Sequence, residues 1–132
     1  MRTRNLLRGV AATALTLSAL GLTLGTANAD GWKDGWLDNT EFGLFCYEDA
    51  QNSVFDLSAD DEYFPDDYFK GSKSCAGQTV DDNTRSYINN SCGFFVFVHP
   101  NMTGNKGWIP AGHRGNASSE FKDQISSAGR YC

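Results

Sequence analysis

Residues Gly93–His99 read Gly-Phe-Phe-Val-Phe-Val-His and form the strongest strand pattern in the chain. The apolar residues of this stretch run without a polar break, which is typical of a β-strand that is covered on both faces. The following residues, Pro100–Gly104, read Pro-Asn-Met-Thr-Gly and end the strand in a turn. Gly107–Pro110 then predicts a short strand that returns along the first.

A second hairpin is predicted earlier in the chain. Phe42–Tyr47 and Ser53–Leu57 are short runs of aromatic and β-branched residues, and the polar residues Glu48–Asn52 separate them. No stretch sustains a helical apolar period over several turns, so at most one helical turn is expected, near Ser119–Asp123. These patterns predict an all-β fold.

The sequence divides into two similar halves. In each half an aromatic strand leads through a polar turn into a second short strand, and a polar corner follows. The corners are Asp81–Ser86 in the first half and Lys122–Ser127 in the second. Asp, Asn, Ser and Thr side chains satisfy exposed backbone groups where a chain changes direction. Such a duplication suits two Greek-key motifs packed as a sandwich.

The N-terminus has the pattern of a secretory signal peptide. Three arginines precede an apolar run over Val10–Leu24, and Ala27-Asn28-Ala29 places small residues where signal peptidase recognises them. Removal of residues 1–29 is therefore predicted, leaving one extracellular domain over residues 30–132 with an N-terminal extension at 30–41. A retained anchor is disfavoured because the run is short for a bilayer span and contains Thr, Ser and Gly.

The predicted mature chain is strongly acidic. The sequence has 11 basic and 16 acidic residues, and its first 29 residues hold three arginines and no acid, so residues 30–132 have a net charge of −8. This charge repels DNA and RNA at long range, which argues against a nucleic-acid partner. Cations or a basic protein surface are favoured instead.

The cysteines predict two disulfides. All of them, Cys46, Cys75, Cys92 and Cys132, follow the predicted cleavage site. In an oxidising compartment each bridge is worth on the order of 3 kcal/mol, and zinc is disfavoured because no CxxC pair occurs. Three pairings are possible. We favour Cys75 with Cys92, which closes a short polar segment, and Cys46 with Cys132, which ties the C-terminus to an early strand.

Several short pieces of the chain resemble one protein family, the single-domain βγ-crystallin-like proteins that actinobacteria secrete and that are grouped with a metalloproteinase-inhibitor family. The matching pieces span most of the mature chain: Glu41–Tyr47, Ala76–Asp82 leading into Ser86, Phe97–Ile109, Ala111-Gly112 and Asn116–Ser118. The resemblance implies a βγ-crystallin-like sandwich that blocks thermolysin-like zinc proteases. It implies a monomer that acts by steric contact with a secreted protease, without catalysis.

The candidate protease contacts lie in two loops that we expect to be exposed. Within Asp60–Phe69 an acidic pair followed by Tyr-Phe occurs twice, which suits a recognition loop for a cationic partner. The predicted contacts are Asp60, Asp61, Tyr63, Phe64, Asp66, Asp67 and Tyr68, together with Asn101, Met102 and Thr103 of the turn. The competing interpretation is a solvated connection whose aromatic rings pack back onto the sheets. A metal-binding loop is a third interpretation.

The two polar corners are also candidate calcium ligands. In βγ-crystallin domains the calcium-binding corner has Asn or Asp twice, two free positions, then Ser or Thr, and Ser. Here Arg85 replaces a hydroxyl ligand in the first corner and Lys122 replaces an acid or amide in the second, and each cation opposes calcium. We expect at most one degraded site, shared between Asp81 and Ser126, and otherwise no cofactor.

Catalysis has little support in the sequence. The histidines, His99 and His113, lie in no nucleophile or metal-binding motif. The alternative to inhibition is therefore another binding function, on a carbohydrate or cell wall. Trp32 and Trp36 of the N-terminal extension, with Trp108, are the candidate sugar platforms. The competing interpretation, which we favour, has the two N-terminal indoles cap the sandwich.

Overall fold

The computed structural model describes residues 32–132, so the predicted signal peptide and its cleavage site lie outside the described part. The strands are β1 (Phe42–Phe45), β2 (Val54–Leu57), β3 (Ser86–Asn89), β4 (Gly93–His99), β5 (Thr103–Ile109), β6 (Arg114–Asn116) and β7 (Ser127–Tyr131). Two short 3-10 helices, Glu48–Ala50 and Phe64–Asp66, lie in the connections. Within residues 32–132 no helix has the length and apolarity that a membrane span needs.

The strands form two antiparallel sheets, ordered β2-β1-β3-β6 and β5-β4-β7. Both predicted hairpins are confirmed. β1 pairs with β2 with Phe42 opposite Leu57, and β4 pairs with β5 with Phe94 opposite Ile109. The returning strand β5 begins before the predicted Gly107, because its polar residues also pair with β4 along the sheet edge. The all-β prediction is therefore confirmed.

Each half of the chain sends one segment to the sheet of the other half. β6 leaves its neighbours β4 and β5 and pairs with β3, with Ser86 opposite Asn116. In the first half the corresponding segment pairs with β7 through a single bridge between Asp61 and Ala128. The predicted sandwich of two Greek-key motifs is confirmed, and the exchange makes each sheet depend on both halves.

The core lies between the sheets, and its largest side chains are phenylalanines. The rings of Phe42 on β1 and Phe94 on β4 stack across the interface with their centroids 4.4 Å apart, and both side chains are fully buried. Phe64 packs edge-on against Phe55 at 5.2 Å. The other buried apolar residues of this cluster include Leu44, Leu57, Phe69, Val80, Val96, Ile109, Ile125 and Ala128. Large rings let a short chain bury enough apolar area to fold.

The central strand β4 is covered on one face only. Phe94 and Val96 point into the core and are buried, whereas Phe95 and Phe97 point to the outer face and are half-buried. The prediction that both faces are covered is wrong for this outer face. No second layer of strands lies over it in the described chain, and Phe95 packs against the rings of Phe97, Trp108 and Tyr131 of the same sheet.

Two disulfides close the structure, but the favoured pairing was wrong. The bridges join Cys46 to Cys75 and Cys92 to Cys132. Cys92 and Cys132 directly adjoin Gly93 and Tyr131, which are opposite each other in the β4–β7 ladder, so this pairing follows from the strand register. Short sequence separation was a poor guide because strand pairing, and not the length of the enclosed segment, brings the sulfur atoms together.

The buried amide of Asn89 ties the end of β3 to the chain that enters and leaves the other sheet. Its Nδ2 donates to the carbonyl oxygens of Cys92 at 2.9 Å, Ile109 at 3.0 Å and Pro110 at 3.1 Å. Its Oδ1 accepts from the backbone nitrogen of Ser91 at 2.9 Å. One side chain thus satisfies backbone groups that would otherwise be buried without partners.

We expect Asn89→Ala to lower the free energy of unfolding by about 2–3 kcal/mol, because several buried backbone groups lose their partner at once. Urea denaturation of residues 30–132 with disulfides intact measures this loss. Asn90→Ala is the matched control. The Asn90 side chain is exposed, and within residues 32–132 its amide makes only a 3.4 Å hydrogen bond to the Asp38 carbonyl oxygen. Equal stability of the two variants would contradict the assigned role of Asn89.

Candidate functional site

The two loops predicted to contact a protease form one continuous surface. The backbone nitrogen of Asn101 donates to the carbonyl oxygen of Glu62 at 2.7 Å, which joins the β4–β5 turn to the loop after β2. The nitrogen of Met102 donates to the Ser127 hydroxyl at 3.0 Å. We refer to residues 60–69 and 100–104 together as the loop–turn surface.

The loop–turn surface is anchored along its length. Asp61 and Ala128 exchange two backbone hydrogen bonds of 2.8 Å, and the nitrogen of Phe64 donates to the Ser126 carbonyl oxygen at 3.0 Å. Asn101 and Met102 both have positive φ, a conformation that is held here by the bonds to Glu62 and Ser127. The surface is therefore fixed by the sheet beneath it.

The predicted contact residues divide into an outward and an inward set. Tyr63 and Tyr68 are 48% and 53% exposed, whereas Phe64 and Phe69 are buried in the core. The packing interpretation therefore applies to the phenylalanines. The exposed tyrosines stay candidate contact residues. The other exposed predicted residues are Asp60, Asp66, Asn101 and Thr103, and Met102 is half-buried.

Asp61 and Asp67 belong to the inward set because both bind Lys33 of the N-terminal extension. The Lys33 ammonium lies 2.6 Å from Asp61 Oδ2 and 2.9 Å from Asp67 Oδ1. Burial, followed by the hydrogen bond to Asp61, raises the pKa of Asp67 to about 7. Burial also disfavours the charge on Lys33, but its bonds to the two carboxylates outweigh this effect and raise its pKa.

The N-terminal extension is held by a second buried carboxylate, Asp56 on β2. Its oxygens accept from the backbone nitrogens of Asp34 at 3.0 Å and Gly35 at 2.7 Å, while burial raises its pKa. The indoles of this segment do not cap the sandwich as we favoured, since Trp36 is 75% and Trp32 41% exposed. The backbone and Lys33, and not the indoles, attach the extension.

The two polar corners face each other. The nitrogen of Asp82 donates to the Ile125 carbonyl oxygen at 3.1 Å, and that of Asp123 donates to the Thr84 carbonyl oxygen at 2.9 Å. The helical turn expected near Ser119–Asp123 is a series of turns, with one helical bond of 2.8 Å from Lys122 N to the Ser118 carbonyl oxygen. The side chains of each corner therefore lie close to the other corner.

The corners meet at two places, and at one of them the guanidinium of Arg85 lies between them. The Arg85 Nε lies 3.1 and 3.2 Å from the two carboxylate oxygens of Asp123. The Lys122 ammonium lies 2.8 Å from Glu48 Oε2. The residues that depart from the calcium pattern are thus paired with carboxylates, and the Arg85 position does not suit a metal ion.

At the other place where the corners meet, one oxygen atom from each corner lies close to the other. The Ser126 hydroxyl lies 3.3 Å from Asp82 Oδ1, so the carboxylate next to Ser126 is that of Asp82, whereas the sequence suggested Asp81. Asp81 Oδ1 is buried without a hydrogen-bond partner. In residues 32–132 no group of three or more His, Cys, Asp or Glu side chains is placed to hold a metal ion. Calcium here would require hydroxyl and carbonyl oxygens in addition to a carboxylate.

The histidines do not form a catalytic arrangement in the described chain. His99 and His113 are both exposed, and no hydrogen bond within residues 32–132 joins either imidazole to another side chain. All the cysteines are in disulfides, so no free thiol is present among these residues.

Comparison with known proteins identifies the fold. No family model and no curated protein sequence matches the chain. Solved structures do: a domain of the eye-lens βγ-crystallin fold matches with 15% identity and a TM-score of 0.56, covering 75% of this chain and 91% of its own. A βγ-crystallin from Ciona intestinalis matches with 15% identity and a TM-score of 0.55, covering 69% and 99% respectively.

An archaeal βγ-crystallin gives a similar match, with 14% identity and a TM-score of 0.54, covering 71% of this chain and all of its own. The chain therefore has the fold of a βγ-crystallin domain, as its resemblance implied. Identities this low establish the fold alone and leave the binding partner to be inferred from the surfaces.

We expect the free energy of unfolding to fall as the pH rises from about 4 to about 7. The raised pKa of Asp67 means that the folded protein binds a proton that the unfolded chain has released in this range. Asp67→Asn removes this titration and should reduce the slope of the profile, leaving the contributions of Glu41, Asp56 and Asp82, whose pKa values burial also raises.

Urea denaturation at several pH values measures both profiles. Asp66→Asn is the control, because Asp66 is the exposed neighbour of Asp67 and makes no ion pair within the described chain. Parallel profiles for the wild type and Asp67→Asn would show that Asp67 does not titrate differently in the folded protein.

Proposed function

We propose that this chain is a secreted, non-catalytic inhibitor that binds an extracellular protease of the metalloproteinase type through the loop–turn surface. The observation that supports this proposal is the 2.7 Å hydrogen bond between Asn101 and Glu62, which joins the two candidate contact loops into one rigid patch. The predicted signal peptide and the two disulfides fit an oxidising, extracellular location.

The mechanism is steric and requires little ordering on binding. A loop that is already fixed loses less conformational entropy when it enters a cleft, so more of the contact energy remains as affinity. Bonds to Ser126, Ser127 and Ala128 fix the loop–turn surface before any partner arrives. The protein acts as a monomer that covers the cleft and is not itself consumed.

The side chains of the surface suit this role. Tyr63 and Tyr68 offer exposed rings with hydroxyl groups, the type of anchor that dominates protein interfaces. Asp60, Glu62 and Asp66 surround them with negative charge, which steers the surface towards a basic rim on the partner. A target protease with a basic cleft rim is therefore favoured.

We expect residues 30–132 to abolish the activity of at least one enzyme, at a stoichiometric ratio, in a panel of metalloproteases and serine proteases. Tyr63→Ala should weaken this inhibition on the order of tenfold or more, because an anchor ring is lost. Tyr47→Ala is the matched control, since Tyr47 is similarly exposed, at 46%, but lies in the β1–β2 connection. Full activity of every enzyme at an excess of the protein would refute the proposal.

We also propose one calcium site between the corners, at Asp82 and Ser126. The hydroxyl and carboxylate oxygens of these residues are already together, at 3.3 Å, and hard oxygen ligands suit calcium. The bound ion would neutralise the Asp82 carboxylate and bridge the two Greek-key halves. The equivalent position at Arg85 and Asp123 is excluded, because the guanidinium supplies the positive charge there.

We expect calorimetric titration of calcium into the chelator-treated protein to fit one site and to raise its thermal stability. Asp82→Ala should remove the binding heat because the carboxylate ligand is lost. Asp66→Ala, which removes an exposed acid away from the corners, should leave it unchanged. The absence of heat with the wild-type protein would reject the site.

A further inference from the structure

The outer face of the β5-β4-β7 sheet presents a cluster of aromatic rings. Phe95 on β4 contacts Trp108 on β5 with ring centroids 4.7 Å apart and Tyr131 on β7 at 5.9 Å. The rings of Trp108 and Tyr131 are 6.2 Å apart, and Phe97 lies 6.4 Å from Phe95. We refer to these four residues as the aromatic face. It lies on the side of β4 that the core leaves uncovered.

The two outermost rings are accessible, with 47% of Trp108 and 67% of Tyr131 exposed. Residues opposite each other in a ladder point to the same side, and Gly93 lies opposite Tyr131 on the outer face. A Cβ atom built on Gly93 would come within 1.8 Å of Trp108 Cη2. The six-membered ring of the indole therefore packs directly over Gly93, while about half of the Trp108 side chain stays exposed.

Polar groups lie beside the rings. The Lys106 ammonium lies over Phe95, 4.8 Å from the ring centroid, and so adds a positive charge and hydrogen-bond donors to the face. The Tyr131 hydroxyl adds a further donor and acceptor. A ligand that has both apolar faces and hydroxyl groups can stack on these rings and form hydrogen bonds with the donors beside them.

The exposed rings of the aromatic face are too small on their own to form a stable protein interface. Two rings of this size exposed to about this extent offer roughly 300 Å². A stable protein interface buries about 800 Å² on each partner. The exposed area suits a small, flat ligand, and Lys106 makes this face less repulsive to an acidic ligand than the rest of the strongly acidic chain.

We propose that the aromatic face is a carbohydrate-binding site that stacks the C–H faces of pyranose rings on Trp108 and Tyr131. Lys106 and the Tyr131 hydroxyl bind the sugar hydroxyl or carboxylate groups. The site is separate from the loop–turn surface and the corners, so it does not rest on the inhibitor proposal. It anchors the protein to an extracellular polysaccharide and leaves the loop–turn surface available.

Retention on washed cellulose, chitin and peptidoglycan tests this site directly, with residues 30–132 at low protein concentration. The wild-type protein should be retained on at least one of them, and Trp108→Ala and Tyr131→Ser should each reduce retention on the order of tenfold. Trp36→Ala is the matched control, because Trp36 is the most exposed indole of the described chain and lies in the N-terminal extension. It should be retained like the wild type.

Gly93→Ala tests the geometry without removing a ring. The added methyl group should displace the indole from its support and weaken retention, while the content of aromatic residues stays the same. Thermal unfolding of each variant separates loss of the site from loss of the fold. Tyr131→Ser keeps the test valid if Trp108→Ala or Gly93→Ala unfolds, because Tyr131 is exposed at the end of β7.

Three results would overturn the proposal. The first is no retention of the wild-type protein on any of the polysaccharides. The second is unchanged retention of the folded Tyr131→Ser variant, or loss of retention in Trp36→Ala instead. The third is a wild-type dimer in sedimentation analysis that Tyr131→Ser dissociates, which would make a second copy the occupant of this face.

Discussion

The structure depends on the burial of large aromatic side chains between two sheets that neither half of the chain completes alone. The contact at its centre is the stack of Phe42 on Phe94, which joins β1 of the first half to β4 of the second. β6 and the segment at Asp61 each cross to the sheet of the other half. A core shared in this way cannot form in either half separately, and a short chain gains enough apolar burial only when both contribute.

The same constraint determines where polar chemistry is possible. Because apolar residues occupy the space between the sheets, the ion pairs of residues 32–132 lie at the corners, in the loops and under the N-terminal extension. Cations occupy two of these places, Lys33 between Asp61 and Asp67, and Arg85 beside Asp123. At the Asp82–Ser126 position the carboxylate is hydrogen-bonded to a hydroxyl and forms no ion pair within residues 32–132. The surfaces for which we propose binding are therefore the loop–turn surface, the Asp82–Ser126 position and the aromatic face.

Particular residues show why some predictions from the sequence succeeded and others failed. The hairpins and the two Greek-key halves follow from short aromatic and β-branched runs and from the turn residues between them, which act over a few positions, and they are confirmed. The pairing of Cys46 with Cys75 and of Cys92 with Cys132 depends on which strands become neighbours, so the sequence did not reveal it. The repeated Tyr-Phe of the loop did not reveal the division into exposed Tyr63 and Tyr68 and buried Phe64 and Phe69, because that division depends on how the loop packs on the sheets.

The amino-acid pattern by itself determined the all-β class, the duplication, the strands β1, β2 and β4, and the presence of two disulfides, because each of these is written in local spacing or composition. The tertiary structure alone decided that Asn101 meets Glu62, that Arg85 meets Asp123, and that Trp108 lies over Gly93 beside Tyr131. These residues are far apart in sequence. Strand exchange and ladder register, which arise from packing across the whole domain, bring them together.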